Sequence, residues 1–253
     1  MVHSRFSLEG RVALVTGARR GIGRGIALGL AEAGADVAVC DLVVRDGDLR
    51  RVARSIRALG RRSLALKCDV TRKAQIARMV ERAEEQLGPI DVLVNNAGVE
   101  SICSMLDTTE EEWHRVLNAD LTSCFLCSQA VGRRMVDRRR GSIINIASGA
   151  GIRGFAARNT YNIAKAGVIM LTRALARDWG RHNIRVNAIA PTIVRTDMTA
   201  GLEERGAAAE AARIPLGRLA AVEDMVGPAV FLASDAAAYV TGDTLLVDGG
   251  QLA

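Results

Sequence analysis

The chain predicts a single-domain α/β fold, a doubly wound, seven-stranded parallel sheet with helices on both faces. Three observations carry this. Short β-branched runs alternate with longer segments of helical periodicity along the whole sequence. The strand runs are apolar throughout, as strands covered on both faces are. No linker, repeat or low-complexity stretch divides the 253 residues, so one domain is expected.

The elements follow in order. Residues 11–16 (RVALVT) read as a buried strand, and residues 21–33 as a helix after a glycine-rich turn. Residues 36–41 (DVAVCD) form the second strand, with a helix over 47–59. Residues 63–69 are a strand and 73–87 a helix with periodic apolar positions. Gly88-Pro89 punctuates the chain before a strand at 90–95. Residues 109–139 carry helical periodicity in two pieces. A strand at 142–148, a long helix at 159–181 and a strand at 184–189 come next. The chain closes with a helix at 222–233 and a short strand at 244–247. The least regular stretch, 191–216, is rich in Ala, Gly and Glu and falls at the expected carboxyl edge of the sheet. Ligands bind at that edge in open α/β sheets, so the stretch is a candidate substrate lid.

Composition narrows the function classes. Hydrophobic residues make up 49% of the chain, enough for a large core, yet no run of eighteen apolar residues offers a membrane span. The first ten residues lack the layout of a secretory signal, and five scattered cysteines fit free thiols. Both point to the cytoplasm. Cys124 and Cys127 form a C-x-x-C with no second pair and no nearby histidine, so no metal site is expected. The net charge of +6 favours anionic ligands, but aromatics at 3% leave few platforms for stacking bases, and a nucleic-acid partner is not expected. The densest basic run, Arg133-Arg134 and Arg138-Arg139-Arg140, falls near a helix end, where cations complement the dipole.

Two constellations carry chemistry. In the first, Thr16-Gly17-Ala18-Arg19-Arg20-Gly21-Ile22-Gly23 joins the first strand to the first helix. Glycines there permit a tight turn and close approach of a pyrophosphate, which the helix N-terminus then holds. An acid at the end of the second strand, Asp41, is placed to accept hydrogen bonds from the ribose hydroxyls of adenosine and to repel a 2′-phosphate. Arg19 and Arg20 pull the other way; Asp41 is weighed more heavily, so NAD is the expected cofactor, with NADP possible. In the second constellation, Tyr161 lies four residues before Lys165 in a chain with only two tyrosines and three lysines. On a helix the two share a face, one turn apart. An ammonium there favours the phenolate, as a general acid/base requires.

In this order and spacing the residues resemble the short-chain dehydrogenases/reductases, over nearly the whole chain. The T-G-x-x-x-G-x-G turn matches at Thr16, Gly17, Gly21 and Gly23. Asp69-Val70 resembles the family's adenine-contacting pair, Asn95-Asn96-Ala97-Gly98 its segment after the fourth strand, and Asn118 its active-site asparagine. Ser148, thirteen residues before Tyr161, resembles its catalytic serine. Arg185-Val186-Asn187 and Val247-Asp248-Gly249-Gly250 are also similar. One departure stands out: where the family has Pro-Gly, this chain has Pro191-Thr192, a feature tolerated in members that look like sugar-acid and polyol dehydrogenases. Thr196 still fits the position that contacts the nicotinamide carboxamide.

The resemblance implies a Rossmann-type fold, a homotetramer and hydride transfer between a nicotinamide cofactor and a small alcohol or ketone. It implies Asn118, Ser148, Tyr161 and Lys165 as the catalytic group. It implies cofactor contacts from Gly17, Arg20, Gly21, Ile22, Gly23, Asp41, Asp69, Val70, Asn96, Ala97, Gly98, Tyr161, Lys165, Pro191, Thr192 and Thr196. Thr192 and the nearby Arg153, Arg158 and Arg195 favour a polar substrate such as a sugar acid or polyol. Two other readings stay open. One is an NADPH-dependent 3-oxoacyl-[acyl-carrier-protein] reductase, which Arg20 favours and Asp41 opposes. The other is a non-enzymatic dinucleotide-binding regulator, which the complete catalytic group opposes.

Overall fold

Val12, Ala13, Leu14 and Val15 are all buried, and consecutive residues face opposite sides of the sheet. Ala13 and Val15 meet one layer of helices while Val12 and Leu14 meet the other, so the strand is covered on both faces. A computed structural model of the chain describes residues 2–196 and 206–253. Its strands are β1 (Val12–Thr16), β2 (Asp36–Asp41), β3 (Ser63–Lys67), β4 (Val92–Asn95), β5 (Gly141–Ile146), β6 (Ile184–Pro191) and β7 (Thr244–Val247). They form one sheet in the order β3-β2-β1-β4-β5-β6-β7 with every neighbouring pair parallel. The chain winds outward from β1 to β3, then crosses back to β4 on the other side of β1. That reversal opens a crevice at the carboxyl ends of β1 and β4.

The helices are α1 (Val2–Phe6), α2 (Gly21–Glu32), α3 (Asp48–Ala58), α4 (Lys73–Leu87), α5 (Glu110–Leu117), α6 (Ser123–Arg138), α7 (Asn159–Trp179), α8 (Ala207–Ala211) and α9 (Val226–Ala233). Ile26 and Leu30 of α2, Leu49, Val52 and Ile56 of α3, and Ala229 and Leu232 of α9 pack on one face. Ile76 and Val80 of α4, Val131 and Met135 of α6, and Ala176 of α7 pack on the other. Helices α1 and α8 were not expected, since five residues are too few to show a period. The predicted 191–216 lid contains residues 197–205, which lie outside the described residues.

The element ends differ from expectation where side chains intervene. Strand β3 stops at Lys67, because Asp69 turns the chain by accepting the Thr71 backbone N–H and hydroxyl. Strand β5 stops at Ile146, and the Ser148 hydroxyl accepts the Ala150 N–H to open a short helical turn. The two pieces of residues 109–139 are α5 and α6, joined by a π-helical turn, Asn118–Thr122. Thr109 caps α5 by accepting the Glu112 N–H, with three glutamates in the first turn complementing the dipole. Among the described residues no helix is long and apolar enough to cross a membrane.

Candidate active site

The cleft at the switch point has a volume of about 370 Å³, within the range of small-molecule sites. Its floor is the turn between β1 and α2. Gly17 and Gly21 there take positive φ angles of 62° and 53°, which a side chain would strain. The turn is strapped to β4: Asn96 Nδ2 donates to the Thr16 and Gly17 carbonyls at 3.0 Å each, and the Asn96 and Ala97 N–H groups donate to Thr16 Oγ1. A Cβ on Gly17 would fall 2.8 Å from Ala97 Cα. Helix α2 starts with no capping side chain, so the positive end of its dipole stands at the cleft. These residues fit the pyrophosphate of a dinucleotide. Gly17, Arg20, Gly21 and Ile22 line the cleft as expected. Gly23 does not. It lies beneath the turn, where a Cβ would sit 2.5 Å from the Gly17 carbonyl oxygen and collide with Asn96, so its role is packing.

Asp41, Asp69 and Val70 line the adenosine end. Asp41 Oδ1 accepts the Val43 N–H at 2.9 Å and lies 3.7 Å from Arg19 Nε. Arg19 is also paired through Nη1 with Asp46 at 2.6 Å and lies 3.7 Å from Asp48. Three carboxylates therefore surround the arginine that the sequence set against Asp41.

At the other end, Ser148, Tyr161 and Lys165 line the same cleft, with Ala97, Gly98, Pro191, Thr192 and Thr196 around them. Ser148 is held by its Ala150 contact and donates toward the Pro191 carbonyl at 3.4 Å. Lys165 is 4% exposed and donates to the Ile146 carbonyl at 3.0 Å; its Nζ lies 5.5 Å from the centre of the Tyr161 ring. Burial alone would push the lysine pKa down, but the carboxylate of Asp120, helped by Tyr161 and Cys124, outweighs it and holds the ammonium above its ordinary value. Thr192 fits where glycine was expected because Gly149 gives way: a Cβ there would fall 2.7 Å from Thr192 Cγ2.

The expectation for Asn118 needs correction. Asn118 is exposed and does not line the cleft. Residues two apart on a helix point to different sides, and here Asp120 faces inward while Asn118 faces out. Asp120 is fully buried, its Oδ1 accepts the Val99 N–H at 2.7 Å, and its Oδ2 lies 3.1 Å from Lys165 Nζ. A signal for it existed in the sequence. Asp120 continues the apolar stripe of Val116, Cys124, Cys127 and Val131, and an acid on such a stripe needs a buried partner. Glu100 lines the cleft and pairs with Arg158 at 2.8 Å. Of the three arginines considered for a polar substrate, Arg158 lines the cleft and Arg153 and Arg195 do not.

Known proteins resemble the chain over nearly its whole length. Residues 17–251 match the family model described as enoyl-(acyl carrier protein) reductase. Along the full length of both chains, the protein is 43% identical over 256 residues to the 2-dehydro-3-deoxy-D-gluconate 5-dehydrogenase of Escherichia coli (strain K12). It is 43% identical over 245 residues, 97% of this chain and 98% of the relative, to the 3-oxoacyl-[acyl-carrier-protein] reductase of Pseudomonas aeruginosa. A gluconate 5-dehydrogenase from Burkholderia cenocepacia, solved in complex with NADP and tartrate, is 36% identical with a TM-score of 0.94, covering 99% of this chain and 98% of that one. A glycine cradle at the switch point, a Tyr-Lys pair beside it and likeness over the whole chain converge: the chain belongs to the short-chain dehydrogenase/reductase family and is a nicotinamide-dependent oxidoreductase acting on a secondary alcohol or its ketone.

Proposed function

We propose that the protein interconverts a hydroxyl and a ketone on a sugar acid, with NAD preferred to NADP and Tyr161 as the group that moves the proton. The observation that carries this is one cleft holding Ser148, Tyr161 and Lys165 at its base and the Arg158–Glu100 pair at its wall. When bound, the nicotinamide takes or gives the hydride. The protein's own groups do the rest. Tyr161 as phenolate takes the alcohol proton in oxidation, and as phenol it returns that proton in reduction. Ser148 donates a hydrogen bond to the substrate oxygen, on which charge changes as the proton moves. Lys165 places a buried ammonium one turn from Tyr161 and, as the family likeness implies, would hold the nicotinamide ribose when the cofactor is bound. Arg158 uses Nη1 for Glu100, which leaves guanidinium donors for a substrate carboxylate, while Glu100 can accept from hydroxyls. Likeness to sugar-acid dehydrogenases supports the same substrate class.

The second reading, a 3-oxoacyl thioester reductase, is favoured by an equal identity to one such enzyme. A panel of sugar acids, polyols and 3-oxoacyl thioesters, run with NAD(H) and NADP(H) side by side, separates the two. Turnover of sugar acids with NAD is the expected result; turnover confined to thioesters with NADPH selects the reductase. Within the first reading, Arg158→Leu should raise KM for acids by roughly tenfold or more, the scale of a charge-assisted bidentate contact. It should leave uncharged polyols nearly unaffected, and equal losses on both would remove the carboxylate contact. A homotetrameric, cytoplasmic enzyme with a lid over 191–216 completes the proposal.

A further inference from the structure

We propose that Asp120 is a positioning residue for proton transfer: its buried carboxylate fixes Lys165 and offsets the ammonium's charge beside Tyr161. The proposal rests on the reading of Tyr161 as the group that moves the proton. Asp120 has 0% exposure, and one carboxylate oxygen is committed to the Val99 N–H. The other, Oδ2, lies 3.1 Å from Lys165 Nζ yet has no hydrogen-bond partner of good geometry among the described residues, so the tie is ionic. Room for it comes from Gly98, where a Cβ would stand 2.8 Å from Oδ2. Two opposite charges, both out of water, therefore sit in contact one turn from the phenol.

The consequence is electrostatic. A lone buried ammonium at this distance would draw negative charge onto Tyr161 strongly. A carboxylate in contact with it reduces the field at Tyr161 to that of a dipole, which falls off faster. Among the described residues, the other charged or titratable groups packed beside the pair do not supply this effect. Arg158 and Glu100 neutralise each other. Arg115, on α5, lies close enough to feel Asp120 but is bound to Glu112 at 2.7 Å. The Cys124 thiol, on α6, donates to the Asp120 backbone carbonyl, and burial pushes it up to about 11, so it stays neutral at working pH.

The chain contains only two tyrosines, and Tyr239 is fully exposed and remote from the cleft. In a Tyr239→Phe background, phenolate absorbance therefore reads Tyr161 alone, with no substrate or cofactor present. Asp120→Asn should move the phenolate midpoint, and with it the limb of the kcat/KM profile against pH, to lower pH by about one unit or more. An unmoved midpoint in a folded Asp120→Asn protein overturns the proposal. Since an unpaired buried ammonium is costly and the single variant can fail to fold, the pair is also removed together. Asp120→Asn with Lys165→Met should titrate within about half a unit of the Tyr239→Phe parent if the two charges offset each other. A rise of one unit or more overturns the proposal, because the ammonium would then be acting uncancelled. Cys124→Ala should leave the midpoint in place; a shift there would assign the effect to the thiol and overturn the role of Asp120. Full activity in Tyr161→Phe would sink the proton-transfer reading, while the titration would still report on the pair.

Discussion

Tyr161 and Lys165 share one face of α7, but they reach different surroundings: the tyrosine is half-buried in the cleft, and the lysine is sealed between the Ile146 carbonyl and Asp120. Tyr161→Phe should lower turnover by about 10² to 10⁴-fold, the usual loss for a positioned acid/base, with dinucleotide binding kept near normal. Steady-state kinetics with a fluorescence titration of the cofactor check both halves. Lys165→Arg should fail as well, despite keeping the charge, because the ammonium is 4% exposed and already seated against the Ile146 carbonyl and Asp120, where a planar guanidinium needs more room. At the adenosine end, Asp41→Ser should shift the kcat/KM ratio toward NADP by about tenfold or more, roughly 1.4 kcal/mol. The substitution removes the repulsion of a 2′-phosphate and also takes away one of three carboxylates around Arg19, which frees that arginine to meet it. An unchanged ratio would show that Asp41 does not read the ribose.

At the scale of elements, the β1–α2 turn and the α5–α6 junction set the geometry. The turn holds its shape through backbone contacts that tolerate no Cβ. Gly23→Ala would drive a methyl group against the Gly17 carbonyl and Asn96, the very contacts that strap β1 to β4. We expect a loss of about 1–3 kcal/mol, the usual cost of overpacking, and a Tm lower by several degrees. Dinucleotide affinity should fall with it, since the strap and the cradle are one structure; a variant melting like wild type with normal affinity would refute this. The α5–α6 junction works differently. It seats Asp120, not Asn118, in the core, in line with the apolar stripe that runs from Val116 to Val131.

At the scale of the molecule, several arginines of the densest basic run are already paired. Arg134 and Arg138 pair with Glu84, and Arg140 pairs with Asp91. What the surface does offer is apolar. Ile163 and Met170 on α7 and Phe125 on α6 are exposed, while α7 buries Ala164, Val168 and Ile169 on its other side. A helix apolar on both sides is one that packs on both. Light scattering at micromolar concentration should therefore give a particle of four chains, and Ile163→Glu with Met170→Glu should reduce it. A monomeric wild-type protein would remove the expectation.

The sequence by itself determined the sheet, its seven strands and most of the cleft. Strand period, helix period and glycine placement are local properties, and in RVALVT or the T-G-x-x-x-G-x-G turn each residue states its own surroundings. It also located Ser148, Tyr161 and Lys165, since the Tyr-Lys spacing of one helical turn is itself geometric. Only the tertiary structure decided which side chains meet across elements. Asp120 on the π-helical turn reaches Lys165 on α7, Arg19 is claimed by three acids, Gly149 makes room for Thr192, and Glu100 meets Arg158. Each of these depends on two segments brought together through a shared core. Distance along the chain carries no record of that, because close packing fixes such contacts only once the helices are seated on the sheet.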